Sequence, residues 1–220
     1  MATATSSKGE RGGETGRLVV FEGADGVGKS TLAEGLQRHL ATVDPEYPVA
    51  GGSFPGTRPG SLGHLVGMIQ ADRLELIRRD AVAPTALQVL HVAAHVDALE
   101  TWIVPALRAG RVVLDRFWWS AYAYARLNVP PERALELVEP ERSLWASLPA
   151  PTIFLVHRGV SLKPEEIDPT THAKLDRSYQ ELVKTQREEG VTVHEIDNDA
   201  SLDLLWRRVL KQLELPYAPL

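Results

Sequence analysis

The sequence predicts an α/β fold, a three-layer sandwich whose central parallel five-stranded sheet is flanked by helices. Three observations predict it. Five short runs of extended character alternate with longer stretches of helical period. A glycine-rich loop joins the first run to the first helical stretch. The chain has 220 residues, 44% of them apolar, which suits one domain with one core.

The elements follow in order. Residues 1–16 are small, polar and Gly-rich, so a disordered tail is expected there, with a single domain over 17–220. "RLVVFE" (17–22) ends in Gly23 and reads as a buried strand. From Lys29, Leu32, Leu36 and Leu40 share one helical face. "PVAGGSF" (48–54) reads as a second strand, and the Gly- and Pro-rich 55–63 as a loop. Helical pattern resumes near Leu62 and runs to about Arg79. Residues 84–110 read as one long helix that Pro105 bends or splits. "RVVLD" (111–115), "PTIFLVH" (151–157) and "VTVHEID" (191–197) are the remaining strands. Helices are expected over 120–127, 131–148, about 169–189 and 199–213. The charge run of 131–142 reads as a solvated helix face.

Bulk composition excludes several classes. The net charge of −5 argues against a broad nucleic-acid footprint. No cysteine is present, so disulfides and thiolate metal sites are ruled out. No apolar run approaches the roughly 18 residues of a membrane span. The first residues lack a signal-type apolar stretch, and a cytoplasmic setting is expected.

"GADGVGKS", Gly23, Ala24, Asp25, Gly26, Val27, Gly28, Lys29 and Ser30, satisfies the phosphate-loop pattern G-x-x-x-x-G-K-[ST]. Glycines let backbone N–H groups curl round a phosphate, and the helix behind offers its positive end. Lys29 is expected at the β- and γ-phosphates of ATP, Ser30 on Mg²⁺, and Thr31 beside them. Asp115 ends an apolar run where open α/β sheets bind ligands, so it is a second candidate for Mg²⁺ support. The competing role for Asp115 is a helix N-cap.

With these residues placed, the sequence resembles the thymidylate kinase family of nucleoside monophosphate kinases. "FEGADGVGKST" is similar to that family's phosphate loop, including the acidic residue before Gly26. "DRFWWSAYAY" resembles its D-R-Y-x-x-S-x-x-A-Y segment at Asp115, Arg116, Ser120, Ala123 and Tyr124, with Phe117 in place of tyrosine. "FPGTRPGSLG" resembles its proline-containing acceptor loop. The resemblance implies phosphorylation of dTMP to dTDP. It implies Asp25 at the acceptor's sugar, Arg58 and Arg116 on the acceptor phosphate, and Phe54, Pro55, Phe117 and Tyr124 around the pocket. Asn198, Asp199 and Ala200 fall near the adenine of ATP, and a homodimer is implied.

Three departures from the family pattern stand out. His95 occupies the position where the family's thymine-contacting arginine is expected. Histidine lacks the guanidinium fork but can hydrogen-bond a base edge. The lid, residues 157–174, is short and carries Arg158 as its one arginine, with Lys163 and Lys174. Arg158 is therefore the lid candidate for catalysis, against a plain strand-end charge. The acceptor loop has no Asp or Glu between Val49 and Asp72.

That last point bears on the reaction. A phosphate acceptor is already anionic, whereas a sugar hydroxyl needs a general base. The missing carboxylate favours a nucleoside monophosphate over a nucleoside, although Asp25 or Asp115 remain as bases for a nucleoside kinase. A nucleotide-binding protein without turnover is the third reading, against which Lys29, Ser30 and Asp115 speak. The spacing of His91 and His95 resembles a zinc pair, but Val92 stands where the motif needs glutamate. Of Trp118 and Trp119, at most one is expected to face the pocket.

Overall fold

The computed structural model describes residues 17–74, 77, 79–165, 167–199 and 201–220. The expected tail, 1–16, therefore lies outside the described residues.

The strands are β1 (Leu18–Glu22), β2 (Val49–Ser53), β3 (Arg111–Asp115), β4 (Thr152–His157) and β5 (Thr192–Asp197). They form one parallel sheet in the order β2-β3-β1-β4-β5. β1 sits in the middle, and all five of its residues are buried, Glu22 included. Such a strand reads as a continuous apolar run because helices cover both faces. In register, Phe21 pairs with Asp115 and Ser53 with the same Asp115. The carboxyl ends of β1, β2 and β3 are thus level, and their loops open at one edge. In parallel α/β sheets that edge is where ligands bind.

The helices are α1 (Lys29–Val43), α2 (Leu62–Gln70), α3 (Pro84–Ala98), α4 (Val104–Ala109), α5 (Trp118–Ala125), α6 (Pro131–Trp145), α7 (Pro169–Glu188) and α8 (Leu202–Gln212). No helix among the described residues is long and apolar enough to cross a membrane.

Several boundaries differ from the sequence expectation, each for a local reason. α2 stops at Gln70 instead of running to Arg79, and Asp72 adopts a left-handed φ of 52° just past its end. The long helix of 84–110 is α3 and α4 joined by a widened π turn over Leu99–Ile103. Pro105 has no N–H to give to the preceding turn, which accounts for the break. α5 begins at Trp118, two residues before the expected start. α8 begins at Leu202 because Ser201 caps it, accepting from the Leu204 N–H.

The charge run of α6 also needs correction. Arg133, Glu136 and Glu139 are exposed as expected, but Glu141 is 0% exposed and turns into the protein. It follows Pro140, which lies inside the helix.

Candidate active site

The phosphate loop is built mainly by backbone. Gly28 has a φ of 97°, and a Cβ there would lie 2.6 Å from Asn198 Nδ2. Gly26 has a φ of 71°, and its Cβ would lie 2.0 Å from Ser161 Oγ. Neither position admits a side chain without moving its neighbour. The loop is buttressed from the far strand, since the Asn198 amide donates to the Val27 carbonyl at 2.6 Å.

Lys29 is 4% exposed, and its ammonium donates to the Ala24 carbonyl at 2.5 Å. Burial pushes its pKa down to about 7, and Arg116 adds to that. Asp115, Asp25 and Glu22 pull in the opposite direction. Ser30 and Thr31 are exposed at the open end of α1. Ser30 Oγ donates to Asp115 Oδ2 at 2.5 Å. Asp115 Oδ1 is buried with no hydrogen-bond partner among the described residues. Asp115 is not the helix N-cap, a position held by Phe117 without a side-chain cap.

Glu22 supplies what the α5 terminus lacks. Its carboxylate accepts from the N–H groups of Phe117 (2.8 Å) and Ser120 (3.0 Å) and from Ser120 Oγ (2.7 Å). A residue of β1 therefore caps a helix nearly a hundred positions later. This grip fixes the turn in which Arg116 takes a φ of 78°, a costly conformation for a side-chain-bearing residue. Burial raises the Glu22 pKa, and Arg116, these hydrogen bonds and Lys29 oppose the rise.

Arg116 is the hub between the loop and α5. Its guanidinium pairs with Asp25 and donates to Ser120 Oγ at 2.8 Å. Asp25 also accepts from the Tyr124 hydroxyl. Burial alone would raise the Asp25 carboxyl, but Arg116, Tyr124, Lys29 and Lys163 together hold it below the usual carboxylate range.

A cavity of about 600 Å³ opens beside this hub. Asp25, Phe54, Pro55, His95, Arg116 and Tyr124, all expected at the acceptor, line it. Two expected residues do not. Arg58 is exposed on its loop, one position beyond the lining residue Thr57, and is not itself part of the lining. Phe117 is 1% exposed and packs in the core against Trp118, Trp119 and Trp145. Neither Trp118 nor Trp119 lines this cavity.

The lid folds down on the loop. Leu162 N–H donates to the Gly26 carbonyl at 2.8 Å, and Ser161 Oγ to the Asp25 carbonyl at 3.0 Å. Arg158 instead reaches the other way, to the Asn198 carbonyl. Gly159 N–H faces the Asp199 carboxylate at 3.4 Å. Ala200 lies outside the described residues.

The sequence reading missed Glu22, Ser161 and Gln88, the last of which lines the cavity and donates its amide to the Ala121 carbonyl at 2.9 Å. Glu22 carried one usable signal, an acidic residue inside an otherwise apolar run with Lys29 nearby. Ser161 and Gln88 carried none, since each matters only through a contact distant in sequence.

A phosphate loop backed by a strand-end aspartate, facing an arginine-lined cavity across one sheet edge, defines a phosphoryl-transfer enzyme with separate donor and acceptor sides. The family model described as thymidylate kinase matches residues 21–198. The chain belongs to the thymidylate kinase family, nucleoside monophosphate kinases that use ATP. A probable thymidylate kinase of Methanosarcina barkeri is 33% identical over 152 residues, covering 67% of this chain and 69% of the relative. The thymidylate kinase of Clavibacter michiganensis is 36% identical over 146 residues, covering 64% and 63%. A probable thymidylate kinase of Methanococcoides burtonii is 29% identical over 216 residues, covering 90% and 92%. The matched region thus spans about two thirds of the first two relatives' length. The crystal structure of thymidylate kinase from Ehrlichia chaffeensis superposes with a TM-score of 0.68 at 17% identity. It covers 90% of this chain and 99% of that one, a likeness of fold.

Proposed function

We propose that the chain transfers the γ-phosphoryl group of ATP to dTMP, giving dTDP, with Mg²⁺. The observation that carries this reading is the Arg116–Asp25 pair in the wall of a cavity of about 600 Å³, with Lys29 close enough to act on both groups electrostatically. A guanidinium there suits a phosphate-bearing acceptor. Asp25, held below the ordinary carboxylate range, is a poor base for a sugar hydroxyl. Glu22 is 0% exposed and its oxygens are occupied. These features argue against the nucleoside-kinase reading.

In this mechanism the loop N–H groups and Lys29 hold the donor phosphates. Arg116 orients the acceptor phosphate, whose anionic oxygen needs no base. Asp25 holds Arg116 and meets the acceptor sugar, while Phe54, Pro55, Tyr124 and His95 shape the pocket. Asn198 and Asp199 border the adenine, and Ala200, expected beside them, lies outside the described residues. Catalysis is then positioning plus charge neutralisation. Ser30 and Asp115 would hold Mg²⁺. The fit rests on two hard oxygen donors in contact and on the partnerless Asp115 Oδ1. When bound, the ion neutralises phosphate charge. Arg158 and Lys163 are the lid cations. Lys163 already acts on Asp25 electrostatically, whereas Arg158 must leave the Asn198 carbonyl to reach the phosphates.

A homodimer is also proposed, in line with the family resemblance. Leu62 and Leu65 on α2 and Val89 on α3 are exposed apolar residues available for it. Light scattering on the purified chain tests this.

The deciding experiment is ADP release with ATP, Mg²⁺ and a panel of nucleosides and their monophosphates. Turnover of dTMP is expected. Turnover of nucleosides alone would overturn the acceptor assignment. Tight ATP binding with no turnover of any acceptor would favour a nucleotide-binding protein.

A further inference from the structure

Three successive carbonyls of the phosphate loop are held from outside it. Ser161 Oγ donates to the Asp25 carbonyl at 3.0 Å, the Leu162 N–H to the Gly26 carbonyl at 2.8 Å, and the Asn198 amide to the Val27 carbonyl at 2.6 Å. The peptides concerned are trans, and in a trans peptide the C=O of one residue and the N–H of the next point in opposite directions. Fixing these carbonyls therefore turns the N–H groups of Gly26, Val27 and Gly28 the other way. Left-handed Gly26 and Gly28 flank Val27, an alternation that gathers successive N–H groups into an anion-binding nest.

Two of the three holds come from the lid turn of residues 161–163, and Ser161 organises that turn. Ser161 is buried, although Leu162 and Lys163 beside it are exposed. Its hydroxyl both donates to the Asp25 carbonyl and accepts the Lys163 N–H at 3.0 Å. Its Oγ also fills the space that a side chain on Gly26 would need, so the contact exists because that loop position is glycine. Arg158, at the root of the lid, is turned to the carbonyl of Asn198, the residue that makes the third hold.

We propose that Ser161 is a positioning residue for the donor phosphates, whose hydroxyl aligns the Gly26 N–H by holding the Asp25 carbonyl. The inference rests on the ATP reading of the phosphate loop and deepens it. The lid then helps to shape the phosphate nest through a neutral hydroxyl, apart from the charge that Lys163 carries. A preorganised N–H meets a phosphate oxygen without reorganisation, whereas a freed peptide must be turned at the moment of binding. Ser161 acts through the loop and needs no contact with ATP.

The test is titration calorimetry of the β,γ-imido analogue of ATP with Mg²⁺ and no acceptor. Ser161→Ala is expected to raise its Kd about 5- to 10-fold. Ser161→Cys keeps the shape of the side chain but replaces the hydroxyl with a weak donor. Its Kd is expected to lie nearer that of Ser161→Ala than that of the wild type. In steady-state kinetics the dTMP KM should stay within about twofold in both variants, which a general loosening of the fold would not allow. Hydrogen exchange in the nucleotide-free protein gives a second readout. The Leu162 N–H should be protected in the wild type and lose about 10-fold of that protection in Ser161→Ala. An unchanged Kd in Ser161→Ala, wild-type affinity in Ser161→Cys, an equal rise in the dTMP KM or undiminished Leu162 protection would overturn the proposal. Failure of the wild type to bind the analogue would strike the ATP reading and this inference with it. Binding without dTMP turnover would strike the acceptor assignment alone, and the calorimetry would still judge Ser161.

Discussion

The donor side and the acceptor side of this site are made of different material. The donor side is backbone, a single contiguous loop of eight residues whose glycines expose N–H groups. One buried ammonium, Lys29, completes it. The acceptor side is side chains, assembled from β1, α3, α5, α6 and the loop after β2. A backbone site tolerates few substitutions but needs little support. A side-chain site can be retuned one residue at a time, and it depends on partners that hold each group in place.

The largest expected effect breaks the donor side alone. Lys29→Ala removes the ammonium proposed to meet the transferring phosphoryl group, and kcat is expected to fall by about 10³-fold or more. Far-ultraviolet circular dichroism should be unchanged, since the hydrogen bond of Lys29 is to the Ala24 carbonyl within its own loop. Loss confined to the acceptor KM would refute the division of labour.

Glu22 joins the two sides and gives the next effect. Glu22→Ala orphans the Phe117 and Ser120 N–H groups and releases the Arg116 turn. Acceptor kcat/KM is expected to drop about 10²-fold, with a loss of about 3 kcal/mol in denaturant stability. Wild-type stability in that variant would show that α5 does not depend on this cap.

These two residues also mark what the sequence disclosed. The loop that holds Lys29 was legible because its glycines and the strand and helix that flank it all lie within a few positions. The sheet was legible for a similar reason, as each strand is an apolar run between breakers. Glu22 was not, because its partners lie 95 and 98 positions away. Glu141 was read as solvated because charge runs on helices usually face water, and only the α3–α6 packing turns it inward. Phe117 was carried to the pocket by resemblance, but its ring points into the core. Arg158 was assigned by residue type, and its contact with Asn198 needed the β5 end to be seen.

Asp25 sharpens the comparison, since it sits in the phosphate loop yet lines the cavity proposed for the acceptor. Asp25→Asn keeps the loop backbone and weakens the hold on Arg116. Acceptor KM is expected to rise about 10-fold while ATP KM stays within about twofold. Steady-state kinetics with each substrate varied in turn checks this, and equal changes in both would place Asp25 on the donor side.

The smallest effect separates the sides by pH. In the nucleotide-free protein the Lys29 pKa is lowered by burial to about 7. In the unfolded chain a lysine keeps its proton to about pH 10.4. Between these values the unfolded state binds more protons, so the Lys29 contribution makes folding stability rise with pH in that window. ATP reverses the local balance, since its phosphates favour the charged ammonium and raise the pKa again. Binding ATP at pH 8 should therefore take up a fraction of a proton, up to about one, and ATP affinity should decline by less than about 10-fold between pH 7 and 8. Titration calorimetry in buffers of different ionisation enthalpy measures the uptake, and Lys29→Met should abolish it. Acceptor binding gives no such signal through Lys29 if its phosphate is held by Arg116, which stays charged throughout the range. Uptake that follows the acceptor instead would place Lys29 between the two phosphates and dissolve the boundary drawn here.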